Sequence, residues 1–395
     1  MRQTLPLVFA TLTLLSAACE KKAAPTPPAP APTPAASGGP ATDSAPILIG
    51  QVGSLTGSEA TFGISARNGI AMAVKEANAA GGVKGRPLAV RVYDSQGRPE
   101  EAAQAATRLI TQDKVVVLLG EAASSNSLAM AEKAQAAGVP MITPTSTNPA
   151  VTRKGDYIFR VCFIDPFQGG VMAKFARDTL QFERVAVLQD NKSAFSVGLS
   201  DEFRRAFTER GGQILATESY SKGDTDFRAQ LTTFKKMKPQ ALFVPGYYTD
   251  VGIIARQARE LGLTVPLLGG DGWESDRLFE LSGGALEGGY YVNHYSLDNP
   301  DPRTQDFITR YKSVHGEAPD SVAALAYDAA RLAIDAMKRA PDLSGAAVRD
   351  ALVATRDFPG VGGTINLDEN RDAVKEAVIL RVEGDKRRFV TTVKP

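Results

Sequence analysis

Several things are scarce in this 395-residue chain, and each shortage closes a class of function. There are two cysteines, Cys19 and Cys162, too few for a disulfide framework or a cysteine-built metal site. There are two histidines, His294 and His315, and neither stands in an H-E-x-x-H motif or beside a cysteine pair. Charge of either sign is not in excess: 45 Lys and Arg against 44 Asp and Glu leave +1, which gives no support to a nucleic-acid partner. No G-x-x-x-x-G-K-[ST] loop or G-x-S-x-G elbow occurs, and Gly50, Gly53 and Gly57 do not fit the dinucleotide fingerprint G-x-G-x-x-G. Nothing supports an enzyme, a cofactor or a catalytic residue. His315 reads as a solvated helix end, His294 as a structural residue near a crossover, and Lys386-Arg387-Arg388 as a solvated hairpin turn.

Long apolar runs are also missing. The strongest, residues 5–15 behind Arg2, is shorter than the roughly 20 residues that span a bilayer. With Ser16-Ala17-Ala18-Cys19 it has the shape of an export signal. Small residues before a cysteine resemble a bacterial lipobox, which makes 1–19 a lipoprotein signal and Cys19 the lipidated residue. Ser16 departs from the usual Leu at its position, and ordinary cleavage after Ala18 is the alternative. Residues 20–46 turn to Pro, Ala, Thr, Ser and Gly, a composition that forms an extended tether rather than a core. The expected location is the periplasm or cell surface, anchored to a bacterial membrane. With Cys19 spent on the anchor, Cys162 is a lone core thiol.

What is present is an alternation of apolar strands and amphipathic helices. Strands are predicted at 47–54, 88–93, 115–119 and 140–142, with helices at 67–80, 99–112 and 127–137 between them. A second series follows: helix 167–179, strand 184–189, helix 197–210, strand 213–218, helix 227–236, strand 241–245, helix 251–261 and strand 265–268. After a strand at 289–295 come helices 302–314, 321–339 and 344–355, which read as cover for the first series, then a hairpin at 377–393. The fold class is α/β: two parallel-sheet lobes with a cleft between them. The expected division is 47–164 plus 296–372 for the N-terminal lobe and 165–295 plus 373–395 for the C-terminal lobe.

Two polar loops at adjacent strand ends organise the first lobe, 120–127 and 143–148. Ligands of open α/β sheets sit beyond the carboxyl ends of the strands. Hydroxyls of Ser124, Ser125, Thr145 and Thr147 there suit a small carboxylate, whose burial needs several donors. Helix capping is the plainer role for the same residues, and a turn is the plainer role for Asp271-Gly272. Trp273 either lines the cleft or packs on a lobe, and Phe195 suits a core position as well as a pocket.

The run Gly53-Ser54-Leu55-Thr56-Gly57 through Phe62-Gly63, then 73–78 and Gly81-Gly82-Val83-Lys84-Gly85, resembles the start of periplasmic leucine/isoleucine/valine-binding proteins. Ile142-Thr143-Pro144, Gly246-Tyr247 and Ala255-Arg256-Gln257-Ala258-Arg259 are similar too, and the likeness runs from about 47 to 393. It implies two Rossmann-like lobes of the type I periplasmic-binding fold, joined by a three-segment hinge. It also implies a monomer that captures an amino acid, branched-chain or otherwise apolar, for an ABC permease. By the same resemblance Ser124 would hold the ligand carboxylate, Thr147 the carboxylate and α-amino group, and the Thr145 carbonyl an ammonium hydrogen. Tyr247 would close over the ligand, and Asp271 would pair with its ammonium. Phe62 and Phe195 stand where the leucine binder has tyrosines, making the pocket drier, and Asp271 is one methylene shorter than the family's glutamate. The alternative is a sensor or transport component for amides, urea or aromatic acids, since relatives bind those as well.

Overall fold

The computed structural model describes residues 45–395. The signal, Cys19 and all but the last two residues of the tether lie outside the described residues. Among those described, no helix is long and apolar enough to cross a membrane.

The chain opens with β1 (Ile47–Gly53), buried along nearly its whole length as a central parallel strand requires. The elements that follow are α1 (Ala60–Ala79), β2 (Leu88–Asp94), α2 (Pro99–Thr111), β3 (Val117–Leu119), α3 (Ser124–Ala137), β4 (Met141–Thr143) and β5 (Ile158–Arg160). The five strands form one parallel sheet ordered β2-β1-β3-β4-β5. α1 ends at Gly81 and Gly82, both at positive φ; a Cβ on Gly82 would lie 2.0 Å from the Arg86 carbonyl oxygen. α1 starts seven residues before its predicted position, so Phe62 lies in the first turn of a helix rather than in a loop. Glycines at 57 and 63 disguise that start in the sequence.

The second series runs α4 (Asp165–Lys174), β6 (Arg184–Asp190), α5 (Ala194–Glu209), β7 (Gln213–Tyr220), α6 (Arg228–Met237), β8 (Ala241–Phe243), α7 (Tyr248–Glu260), β9 (Leu267–Gly269), α8 (Arg277–Ser282) and β10 (Tyr290–Asn293). Then come α9 (Pro302–His315), α10 (Ser321–Arg339), α11 (Gly345–Val353), β11 (Phe358–Gly360), β12 (Gly363–Leu367), β13 (Ala373–Val374), β14 (Ala377–Glu383) and β15 (Lys386–Val393). The second sheet is ordered β15-β14-β10-β9-β8-β6-β7, and its parallel part repeats the order of the first sheet. The terminal hairpin β14-β15 adds antiparallel to β10. The short strands β5 and β11–β13 and helix α8 were not predicted; each is too brief for its periodicity to show.

α10 packs along α1 and against β3 and β4, so the late helices do cover the first sheet. The chain passes between the sheets after β5, after β10 and after β13, a hinge of three strands of chain. Cys162 lies in the first passage, fully buried, its thiol pushed up to about 12 by burial and so inert. His315 is half-buried against the Tyr311 ring, 4.3 Å away, rather than solvated. Arg387 is not a solvated turn residue either: it pairs with Glu274 at 3.2 Å and Asp276 at 2.5 Å, while Lys386 and Arg388 are exposed.

Candidate functional site

The two polar loops are sewn into one surface. Thr143 Oγ1 donates to the Glu121 carbonyl at 2.6 Å, and Ser146 Oγ lies 3.0 Å from the carbonyls of both Glu121 and Ala122. Ser127 Oγ is 2.7 Å from Ser146 Oγ. Gly120 makes the turn possible: its φ is +111°, and a Cβ there would stand 2.1 Å from the Val52 carbonyl oxygen. From below, Arg160, fully buried, donates to the carbonyls of Ser146 and, at 2.9 Å, Asn148, while its Nε holds Asp372, the residue before β13, at 2.6 Å. The loop that carries Thr145 and Thr147 is thereby tied to the start of the last strand before the third passage.

Beyond these loops, between the sheets, is a cavity of about 20 Å³, room for about one water. Its walls are Phe62, Ala122, Ser124, Thr145, Ser321 and Val322 from the first lobe and Phe195, Tyr247, Asp271 and Gly272 from the second, with His294 from the second hinge passage. Six of the eight residues singled out from the sequence therefore meet at one point. Ser125 and Thr147 do not line it. Ser125 instead accepts the Ala194 N–H at 3.0 Å, a bond between the lobes. Thr147 is fully buried one layer back, against Asp165, whose N–H donates to its carbonyl at 2.9 Å.

Capping does not explain the serines. The residue preceding α3 is Ala123, and no side chain caps that helix end. The positive end of α3 thus faces the cleft with Ser124 at its first position, an arrangement that favours an anion. Ser124 Oγ also accepts the Asn148 N–H at 3.3 Å, joining the two loops.

An aromatic corner closes the other side. The Tyr247 ring stacks on Phe195 at 5.1 Å and meets Phe62 edge-on at 5.8 Å. Burial pushes the Tyr247 hydroxyl well above its ordinary pKa, so it stays protonated. Trp273 is not part of this wall: it is fully buried in the second lobe with its Nε1 donating to the Val244 carbonyl at 3.0 Å.

Asp271 supplies the charge. Its side chain is 9% exposed, its backbone N–H donates to Gln168 Oε1 at 2.7 Å, and its Oδ2 lies 2.9 Å from His294 Nε2. Its other oxygen, Oδ1, is buried with no hydrogen-bond partner. Burial lowers the His294 pKa against the opposing pull of Asp271, keeping the imidazole neutral. Burial likewise pushes the Asp165 carboxyl up to about 8, with Asp271 nearby adding to the rise. His294, Gly272, Ser321 and Val322 were not foreseen as cleft residues. The one usable signal was a histidine at the carboxyl end of a strand in a chain holding only two.

The lobes touch directly. Asn148 Nδ2 donates to the Ala194 carbonyl at 2.7 Å, Thr249 Oγ1 to the Ser58 carbonyl at 2.5 Å, and the Thr61 N–H to the Tyr248 hydroxyl at 3.3 Å. Ser275 Oγ lies 3.1 Å from Thr61 Oγ1. These contacts hold the two walls of the cavity together.

Comparison with known proteins agrees with this geometry. Residues 46–387 match the family described as periplasmic binding protein. The chain is 29% identical over 327 residues to the leucine-, isoleucine-, valine-, threonine- and alanine-binding protein of Pseudomonas aeruginosa, covering 82% of this chain and 87% of that one. A leucine binding protein from Thermotoga maritima superposes with a TM-score of 0.85 at 39% identity, over 88% of this chain and 99% of the other. The branched-chain amino acid transporter substrate binding protein of Streptococcus pneumoniae, solved with isoleucine, gives 0.84 at 34% identity, over 89% and 100%.

Proposed function

Since this chain belongs to the periplasmic binding protein family, we propose that it captures an amino acid with an apolar side chain between its lobes and delivers it to an ABC permease. One observation carries the choice of ligand: Asp271, whose Oδ1 is buried and unpartnered, lines the same cavity as Ser124 at the uncapped end of α3. A zwitterion answers both ends at once, its ammonium at Asp271 and its carboxylate at the helix end. The rings of Phe62, Phe195 and Tyr247, with Val322, then receive the apolar side chain. Thr145 and Ser124 contribute to the carboxylate end; Ser125 and Thr147 support the site through the lobe contact and Asp165.

Binding works by population shift. The ligand touches both lobes only when they are together, so it stabilises closure by its differential affinity for that state. The protein acts as a monomer held to the membrane through lipidated Cys19, with residues 20–46 giving it reach.

The test is thermal unfolding after the protein has been unfolded and refolded to strip bound ligand. Common amino acids, amides, urea and aromatic acids are screened at about 1 mM. A ligand with Kd near 1 μM adds roughly 4 kcal/mol under those conditions. Stabilisation by apolar amino acids is the expected result. Stabilisation only by urea, amides or aromatic acids would discard the ligand assignment.

A further inference from the structure

The reading above gives His294 no task, yet the residue is held in place from three directions. It stands just past β10 and is 2% exposed. Its ring stacks on Phe163 with centroids 3.8 Å apart and 28° between planes, and its backbone N–H donates to Asn293 Oδ1 at 2.9 Å. Nε2 meets Asp271 Oδ2 at 2.9 Å, and Nδ1 has no partner. A neutral imidazole carries one N–H, and an ionised carboxylate only accepts, so the proton between them sits on Nε2. This bond occupies Oδ2 and leaves Oδ1 as the one acceptor of Asp271 still to be satisfied.

We propose that His294 is a positioning and specificity-determining residue of the cleft. It locks Asp271 with one oxygen turned to the ligand's ammonium, and it ties amino-acid binding to an uncharged imidazole. The proposal rests on the amino-acid reading. It also accounts for the short acid: a lone aspartate turns freely about its side-chain bonds, while one held by His294 and by Gln168 at its N–H presents a single fixed oxygen.

Burial and the carboxylates around the ring act on it in opposite senses. Asp271 and Glu274 face it from the turn after β9 and favour its protonation. Lys375, from the third hinge passage, opposes protonation. Cys162 and Asp165 flank Phe163 in the first passage; Asp165 is pushed up to about 8 by burial, and the Cys162 thiol to about 12. Burial outweighs the rest, so the ring's pKa lies below its ordinary 6.5. A group with a lowered pKa keeps its neutral-state interactions above 6.5 and loses them as pH falls through the lowered value. Once protonated, the ring neutralises Asp271 and sets a positive charge beside the ammonium. An uncharged ring selects against simple carboxylates as well, because they leave the Asp271 charge buried without a counter-ion.

The experiment is calorimetric titration of the purified protein with L-leucine between pH 4.5 and 8, using the wild type, His294→Gln and His294→Leu. The glutamine amide reaches the donor position of Nε2 and does not titrate; the leucine has no donor. At pH 7.5 we expect about threefold weaker binding for His294→Gln and about tenfold for His294→Leu. Toward pH 4.5 the wild type is expected to lose affinity relative to His294→Gln, a ratio in which other titrating groups cancel. An acid-side loss in His294→Gln equal to that of the wild type would overturn the proposal, as would wild-type affinity in His294→Leu. If the wild type binds no amino acid in the unfolding screen or here, the amino-acid reading fails first and takes this proposal with it.

Discussion

Lys222, in the loop after β7, places its ammonium 2.5 Å from Glu59 Oε1, just before α1, and 2.9 Å from the carbonyl of Gly97. A cation of one lobe is thus gripped by two loops of the other. Glu59 is 2% exposed and the Lys222 side chain 35%, so the pair is screened on one side only. Lys222→Met removes a bond that exists only while the lobes are together. The expected effect is a three- to tenfold weaker affinity, expressed as faster ligand release, since the partly exposed cation limits the pair to about 1 kcal/mol. Stopped-flow release rates equal to the wild type at low salt would remove the pair from closure.

Glu59 also titrates in a useful range. Burial, exceeding the pull of Lys222, raises its carboxyl from 4.5 to about 7, with Glu121 and Asp190 adding to the rise. A folded pKa above the unfolded one means that folding takes up a proton. The resulting stability is complete below pH 4.5 and is lost as pH rises through about 7. Glu59→Gln, which cannot ionise, should therefore gain on the wild type between pH 5 and pH 8. The gain is on the order of a few kcal/mol. Denaturant midpoints at the two pH values measure it, and a constant difference would refute the shift.

For Asp271 the expectation is a loss of at least tenfold in amino-acid affinity on substitution by alanine, because the buried ammonium loses its counter-charge. Asp271→Asn keeps the shape and should lose nearly as much. Calorimetry decides, and an unchanged Kd in both variants would take Asp271 out of the site.

Arg160→Met tests the support beneath the loops. It strands Asp372 and the Ser146 and Asn148 carbonyls in a dry interior. Breaking such a buried pair from one side destabilises by about 3–5 kcal/mol. Urea unfolding should show a lower midpoint with an unchanged slope.

The sheets were readable because buried parallel strands leave continuous apolar runs and the helices between them keep their period. The late helices read as cover for the first series; that α10 lies along α1 emerges only in the structure. Short elements escaped: β5 is only three residues long, and α1 begins seven residues before 67, among glycines that disguise a helix start. Within the site, Phe62, Ser124, Thr145, Phe195, Tyr247 and Asp271 came from motif likeness placed on strand ends. Ser125 was misplaced by a geometric detail no pattern encodes: one residue further along α3 the hydroxyl meets Ala194 of the opposite lobe instead of the cavity. The tasks of His294 and Lys222 were harder to read for a related reason, since each acts through a partner elsewhere in the sequence, Asp271 in one case and Glu59 in the other.

The direct bonds at Ser58 and Thr61 join the start of α1 to Thr249 and Tyr248, the start of α7. Two helix beginnings from different lobes are adjacent only while the cleft is shut, so the gap between them is a gauge that can be read from outside. In the proposed transport role, a membrane partner straddling both positions would distinguish a loaded molecule from an empty one without touching the cargo. Such a face would serve any solute the aromatic walls admit, separating the choice of what is carried from the act of handing it over.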